Sequence, residues 1–354
     1  MFNKIMLLMQ NEFIDGLLIS NPYNVQYISG YREQHAYALI TEKGRYLLTD
    51  GRYKELASKT TRGFQIIDWQ KKEYKLKEAI NELIKEENIK RLGFEAEYIT
   101  YKQFTDLYDM IQAEITPVVG MIEKLREIKS PEEIYNLKIA CQINDMVFLK
   151  LLDEIKVGIT EKELSALCEY YIKKEGGDAQ VSESVFLAGK RSSLILGSPT
   201  DARLEKGDFL LMNYGARYKG YMSDFSRTVV IGKPDSEQKR IYEVVQNAQN
   251  AAINSIKAGV LAKEPFFKSA KVFEEADLIR YHYEGMGHGI GLFLHEEPFL
   301  DKNSKNILEK NAVLTVEPGI YIPEWGGVRL EDIIVVTETG SELLSKTTRE
   351  LIEI

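Results

Sequence analysis

Apolar and polar positions fall into two regimes along the chain. Over residues 1–122, short runs with strand character alternate with helical stretches at 53–59 and 76–90. The strand-like runs are Gly16-Leu17-Leu18-Ile19, Ala38-Leu39-Ile40-Thr41, Arg45-Tyr46-Leu47-Leu48-Thr49 and Phe64-Gln65-Ile66-Ile67. In the second helical stretch Ala79, Ile80, Leu83 and Ile84 recur at helical spacing, which marks one buried face. This alternation predicts a small α/β domain over 1–122. The pattern then changes. Ser130 can cap a helix, Pro131 suits its first turn and Glu133 completes a capping box, so a long helix is expected from there to about 155. A second box, Thr160 to Glu163, opens a helix that ends near Gly176-Gly177, and two more helices are expected at 236–258 and 262–277. The segments between and after them are β-rich. The prediction over 123–354 is an α+β domain with helices and hairpins in blocks.

Composition adds exclusions. The 354 residues carry a net charge of −8, with 28% charged and 44% hydrophobic residues. That balance argues against non-specific nucleic-acid binding and against a basic membrane-docking face. Its dense basic pieces are short ones such as Lys71-Lys72 and Lys173-Lys174. Cys141 and Cys168 fall in helical stretches and read as buried thiols. The apolar run Ile5-Met6-Leu7-Leu8-Met9 is too short for a signal core or a membrane span, and a cytoplasmic protein is expected.

Chemistry concentrates in the second domain. If Arg217-Tyr218-Lys219-Gly220 forms a turn between two strands, Asn213 faces Asp224 across the pair. Strands around the Pro323/Gly326/Gly327 loop set Glu317 opposite Glu331 in the same way. Like charges facing each other destabilise a sheet unless a cation lies between them. His288, in Gly287-His288-Gly289-Ile290-Gly291, is the nearby imidazole, and His295 follows seven residues later. Three carboxylates and a histidine suit Zn, Mn, Co or Fe better than Ca or Mg. Each feature alone is common: a hairpin carboxylate is usually solvated, and Gly-His-Gly is usually a turn.

Together, in this order, they resemble the creatinase/aminopeptidase P/methionine aminopeptidase family, the pita-bread metallopeptidases of peptidase family M24. The Xaa-Pro dipeptidase (prolidase)-like branch is the best match. The matching text is Gly220-Tyr221-Met222-Ser223-Asp224-Phe225-Ser226-Arg227-Thr228, Gly287 to Gly291, Glu317-Pro318-Gly319 and Val328-Arg329-Leu330-Glu331-Asp332. The resemblance implies a creatinase-type N-terminal domain over 1–122 and a pita-bread catalytic domain over 123–354. It also implies a homodimer, and a two-metal hydrolase that cleaves short peptides with proline after the scissile bond. Carried over by residue, Asp224 and Glu331 would bridge the metals, and His288 and Glu317 would be terminal ligands. Glu317 would also be the general base, and His295 a catalytic, substrate-contacting histidine. Arg329 would hold a ligand or substrate carboxylate by a bidentate contact, and His35, in an N-domain loop, would reach substrate.

Three positions depart from the family. An Asp ligand is expected where Asn213 stands, and histidines are expected where Leu196 and Glu284 stand. Asn213 weakens the second metal position, so one tight ion of Mn, Co or Zn is expected and the second is left open. Leu196 withdraws a donor from the substrate site, and Glu284 puts a new charge there. Besides the hydrolase, two readings stay open: a relative acting on a small amide or amidine, and a catalytically impaired binding module of the same fold.

Overall fold

The computed structural model of the protein describes residues 1–70 and 75–354; the Lys71-Lys72 pair lies outside the described residues. The chain divides into two compact units, Met1–Arg126 and Glu127–Ile354. The break falls inside the short helix Glu123–Glu127.

The first unit is a six-stranded mixed sheet flanked by helices. Its strand order is Gln65–Asp68, Arg45–Thr49, Ala36–Thr41, Gly16–Ile19, Arg91–Glu95 and Glu114–Val118. Gly16–Ile19 pairs antiparallel with Ala36–Thr41 and parallel with Arg91–Glu95. The stripe of Ala79, Ile80, Leu83 and Ile84 is buried on the helix Leu76–Glu87, against Leu18, Leu39 and Leu48. Three helices, Phe2–Asn11, Pro22–Ser29 and Tyr101–Met110, and the strands Arg91–Glu95 and Glu114–Val118 lie outside the sequence expectation.

The second unit holds the long helix Pro131–Glu154, opened by the Ser130 capping box, and Glu161–Lys174, opened by the Thr160 box. Both pack on the sheet formed by Val185–Ala188, Phe209–Tyr214 and Phe225–Val230, with Phe148, Leu164, Cys168, Phe186, Met212 and Tyr214 in the shared core. The helices Ser236–Ser255 and Lys263–Glu275 cover the remaining strands through Ile241, Val245, Phe273, Ile320 and Val328.

One register differs from expectation. Phe225–Val230 pairs with Phe209–Tyr214 so that Asn213 lies opposite Ser226, not Asp224. The cause is the turn. Tyr218 pairs with Tyr221, leaving only Lys219 and Gly220 to reverse the chain, at φ 50° and 84°. Two consecutive positive φ values make the tight hairpin turn whose twist matches the strands. In the second hairpin, Val316 pairs with Asp332 and Gly319 with Arg329. Glu317 and Glu331 therefore lie opposite each other, in the gap between two ladders. Pro318 has no N–H to continue either of them.

Candidate metal centre

Three carboxylates sit at strand interruptions. Asp224 separates Tyr221–Met222 from Phe225–Val230, Glu317 separates Val313–Val316 from Gly319–Ile322, and Glu331 separates Gly326–Arg329 from Asp332–Val336. The two hairpins are joined at this level by the Ser226–Glu331 bridge, with Glu331 N–H donating to the Ser226 carbonyl at 3.1 Å. Interrupting every strand at the same height lets side chains from both hairpins converge.

The segment carrying His288 runs beside the strand Val313–Val316. Thr315 N–H donates to the His288 carbonyl and Glu317 N–H to the Met286 carbonyl, each at 2.8 Å. Gly287 allows this approach, because a Cβ there would sit 2.1 Å from the Thr315 carbonyl oxygen. The His288 ring is buried, and its Nδ1 donates to the Gly289 carbonyl at 2.9 Å. Nε2 is thereby turned to the carboxylates, 3.3 Å from Glu317 Oε1 and 4.0 Å from Asp224 Oδ2. A backbone carbonyl on the far nitrogen is the usual way to orient a ligand imidazole.

The electrostatics are those of acids crowded out of water. Burial and then the charge of Glu317 push Asp224 up to about 6. Burial and the charges of Asp224 and Glu317 push Glu331 well above the carboxylate range. Burial also raises Glu317, but the hydrogen bond and charge of His288 outweigh it and leave Glu317 below its ordinary value. Desolvation lowers His288, yet Glu317 and Asp224 raise it more. Buried Arg329 contributes a positive charge. Its Nε donates to Ser226 Oγ at 2.9 Å, and its Nη1 approaches Tyr321 Oη at 3.5 Å. Among the described residues Arg329 makes no bidentate contact with a ligand carboxylate; it reaches Glu331 through Ser226 Oγ, which donates to Glu331 Oε2 at 2.8 Å. Its Nη2 is buried without a partner.

These residues fit a divalent cation. Glu331 Oε1 is buried and has no hydrogen-bond partner. Asp224, His288 and Glu331 each offer a ligand atom, all within 4.8 Å of one another. Two ligand atoms bonded at ~2.1 Å to one ion lie ~3.0 Å apart at right angles and ~4.2 Å apart when opposed. The 3.3 and 4.0 Å separations from His288 Nε2 to Glu317 and Asp224 fall in that span.

The other expected site residues are placed differently. The His295 ring lies edge-on to His288 with centroids 4.4 Å apart, beside the centre; burial and then His288 lower its pKa. Leu196 is 79% exposed on the loop after the turn Gly189–Ser193. Glu284 is not a bare charge: it points to solvent and pairs with Lys302 Nζ at 2.7 Å. His282, two residues earlier, donates from Nδ1 to the Gly319 carbonyl at 3.0 Å and packs its ring on Phe273. His35, in the first unit, has φ 60° and stacks on Tyr53. Sequence reasoning missed three supporting residues. Ser226 ties Arg329 to Glu331, Thr315 Oγ1 donates to Glu317 Oε1 at 3.2 Å, and Arg227 braces the Glu331 backbone.

Comparison with known proteins identifies the family of both domains. Residues 135–338 match the model of metallopeptidase family M24, and residues 2–128 that of the creatinase/prolidase N-terminal domain. The chain is 37% identical to a Xaa-Pro dipeptidase of Pyrococcus horikoshii over 352 residues, covering 99% of this chain and 97% of that one. It is similar to the solved Xaa-Pro dipeptidase from Bacillus anthracis, with a TM-score of 0.96, 37% identity, and coverage of 100% and 99%. It is also similar to the X-Pro aminopeptidase structure from Thermotoga maritima, with a TM-score of 0.93, 30% identity, and coverage of 99% and 100%.

Proposed function

The chain belongs to metallopeptidase family M24, and from that premise we propose that it hydrolyses short Xaa-Pro peptides at the centre formed by Asp224, His288, Glu317 and Glu331. The observation that carries this reading is the convergence of three carboxylates on one imidazole, with Glu331 Oε1 buried and unpartnered. When bound, a divalent ion of the Mn, Co or Zn kind supplies Lewis-acid polarisation of the scissile carbonyl. The chain's own groups do the rest. Glu317, kept ionised beside His288, accepts the proton of the attacking water. His295, exposed beside His288, contacts the peptide. Buried Arg329 Nη2 is a free donor for a substrate oxygen. With Leu196 and Glu284 in place of histidines, His295 and Arg329 are donors available to orient the substrate. His35 is assigned a substrate contact from the family resemblance alone. A homodimer and a cytoplasmic location belong to the same reading. Among the described residues no helix is long and apolar enough to cross a membrane.

The test is hydrolysis of Xaa-Pro dipeptides by the full chain with added Mn²⁺ or Co²⁺. Release of free proline that stops on chelation is expected. Absence of cleavage with either ion, in protein that has bound it, would sink the reading.

The raised carboxylates give a pH signature. In the metal-free folded chain Asp224 holds its proton up to about pH 6, and Glu331 is held well above the ordinary carboxylate range, whereas unfolded carboxyls lose theirs near ~4. The folded state then binds more protons than the unfolded one, so this contribution to stability is present at low pH. It is lost as pH rises through the folded value. An ion needs both groups deprotonated and relieves their repulsion. Mn²⁺ should therefore raise the melting temperature more at pH 7.5 than at pH 5. An equal rise at both would argue against Asp224 and Glu331 as ligands.

A further inference from the structure

The side chain of Asn213 does more than lack a charge. Its Nδ2 lies 2.9 Å from Asp224 Oδ1, 3.2 Å from Glu331 Oε2 and 3.3 Å from the Phe225 carbonyl oxygen. The Phe225 carbonyl can only accept, and Asp224 Oδ1 already accepts the Phe225 N–H at 3.0 Å, so the amide presents its nitrogen to them. Asn213 is thus a donor at this point, not a ligand.

The two carboxylates it joins are each divided in the same sense. Asp224 uses Oδ1 for the Asn213 amide and leaves Oδ2 facing His288 Nε2. Glu331 uses Oε2 for the amide and for Ser226 Oγ, and leaves Oε1 buried without a partner. One side of the pair is closed by hydrogen bonds from within the chain. The other side, with His288 and Glu317, stays open. We infer that the Asn213 amide stands in for the second cation of the carboxylate pair, so that the centre takes a single divalent ion on its His288 side. The inference rests on the proposed metal centre but not on its hydrolytic activity. The N–H groups of one amide meet the carboxylate oxygens of Asp224 and Glu331 on the side where the family resemblance expects a second cation.

The amide also has a role before any ion binds. It holds two acidic side chains together where they would repel, and its hydrogen bond works against the rise in the Asp224 pKa. An aspartate at 213 would remove the donors and add a third carboxylate to the same point. That reverses the local balance towards a second cation.

The experiment is calorimetric titration of the metal-stripped full chain with Mn²⁺ alone, checked by elemental analysis after desalting. Wild type is expected to take one ion per chain, and Asn213→Asp two. Asn213→Ala, which removes the donor without adding a ligand, should still take one, with a lower melting temperature in its metal-free form. If Asn213→Asp fails to fold without metal, recovery of its melting transition by Mn²⁺ with two ions bound supports the inference equally. Two ions or none in wild type, or no gain in Asn213→Asp, would overturn it. Because no peptide is present, a chain that takes one ion yet cleaves no Xaa-Pro peptide would defeat the hydrolase reading while leaving the assignment of Asn213 intact.

Discussion

Replacing Glu317 by glutamine is expected to lower the turnover of an Xaa-Pro dipeptide by roughly 10³-fold, the size typical of losing a positioned general base. The substitution keeps shape and volume but removes the charge. That charge is what the surroundings are built to hold: His288 Nε2 lies 3.3 Å from Glu317 Oε1, and Thr315 Oγ1 donates to the same oxygen at 3.2 Å. The charge of Arg329 also favours the ionised form. An amide at 317 accepts no proton from water and offers an ion a weaker oxygen. The comparison is of kcat for the two proteins at saturating Mn²⁺, with bound metal measured alongside. A variant that keeps its ion and stays within tenfold of wild type would remove Glu317 from the role of base.

The largest effect on stability is expected from Arg227→Met. Arg227 is 1% exposed. Its Nη2 pairs with Asp332 Oδ1 at 2.7 Å and donates to the Thr347 carbonyl. Nη1 donates to the Ser226 and Glu331 carbonyls, and Nε to the Thr348 carbonyl. Methionine fills much of the volume but leaves four carbonyl oxygens and one buried carboxylate without this donor, although Gln249 still donates to Asp332 Oδ2. Breaking a buried pair from one side costs ~3–5 kcal/mol. In a unit of this size that is a fall of roughly 6–20 °C in melting temperature. Because the Glu331 carbonyl is one of the groups released, the variant should also bind Mn²⁺ more weakly. Thermal melts of metal-free and Mn²⁺-loaded protein check both effects; a shift under 2 °C would mean that Arg227 is not the brace it resembles.

Local rules carried much of this architecture into the sequence. The boxes at Ser130 and Thr160 are formed as expected, because a cap depends on four consecutive residues and little else. The same kind of signal stood unread elsewhere. Asn21 before Pro22 caps one of the unexpected helices, and Thr100 with Gln103 boxes another. The pairing of Glu317 with Glu331 followed from strand alternation, and the ladders on either side keep that register. The first hairpin did not follow, since register there depends on whether two or four residues make the turn. The positive φ of Lys219 decides it, and a lysine gives no hint of that conformation. Even so, Asn213 and Asp224 touch, as near neighbours across a slipped pair on one face. The parts of the centre that stayed hidden are the ones made by distant chain segments. Ser226 is an ordinary strand residue until the fold brings it within 2.9 Å of Arg329, and Glu284 reads as a site charge until Lys302 is beside it.

We propose one divalent ion among Asp224, His288, Glu317 and Glu331. Anomalous diffraction from crystals of the full chain grown with Mn²⁺, collected on both sides of the manganese edge, tests it most directly. A single peak within bonding distance of those four side chains, with none next to the Asn213 amide, is the predicted result. A map with no peak there, or with the metal bound elsewhere on the chain, would contradict it.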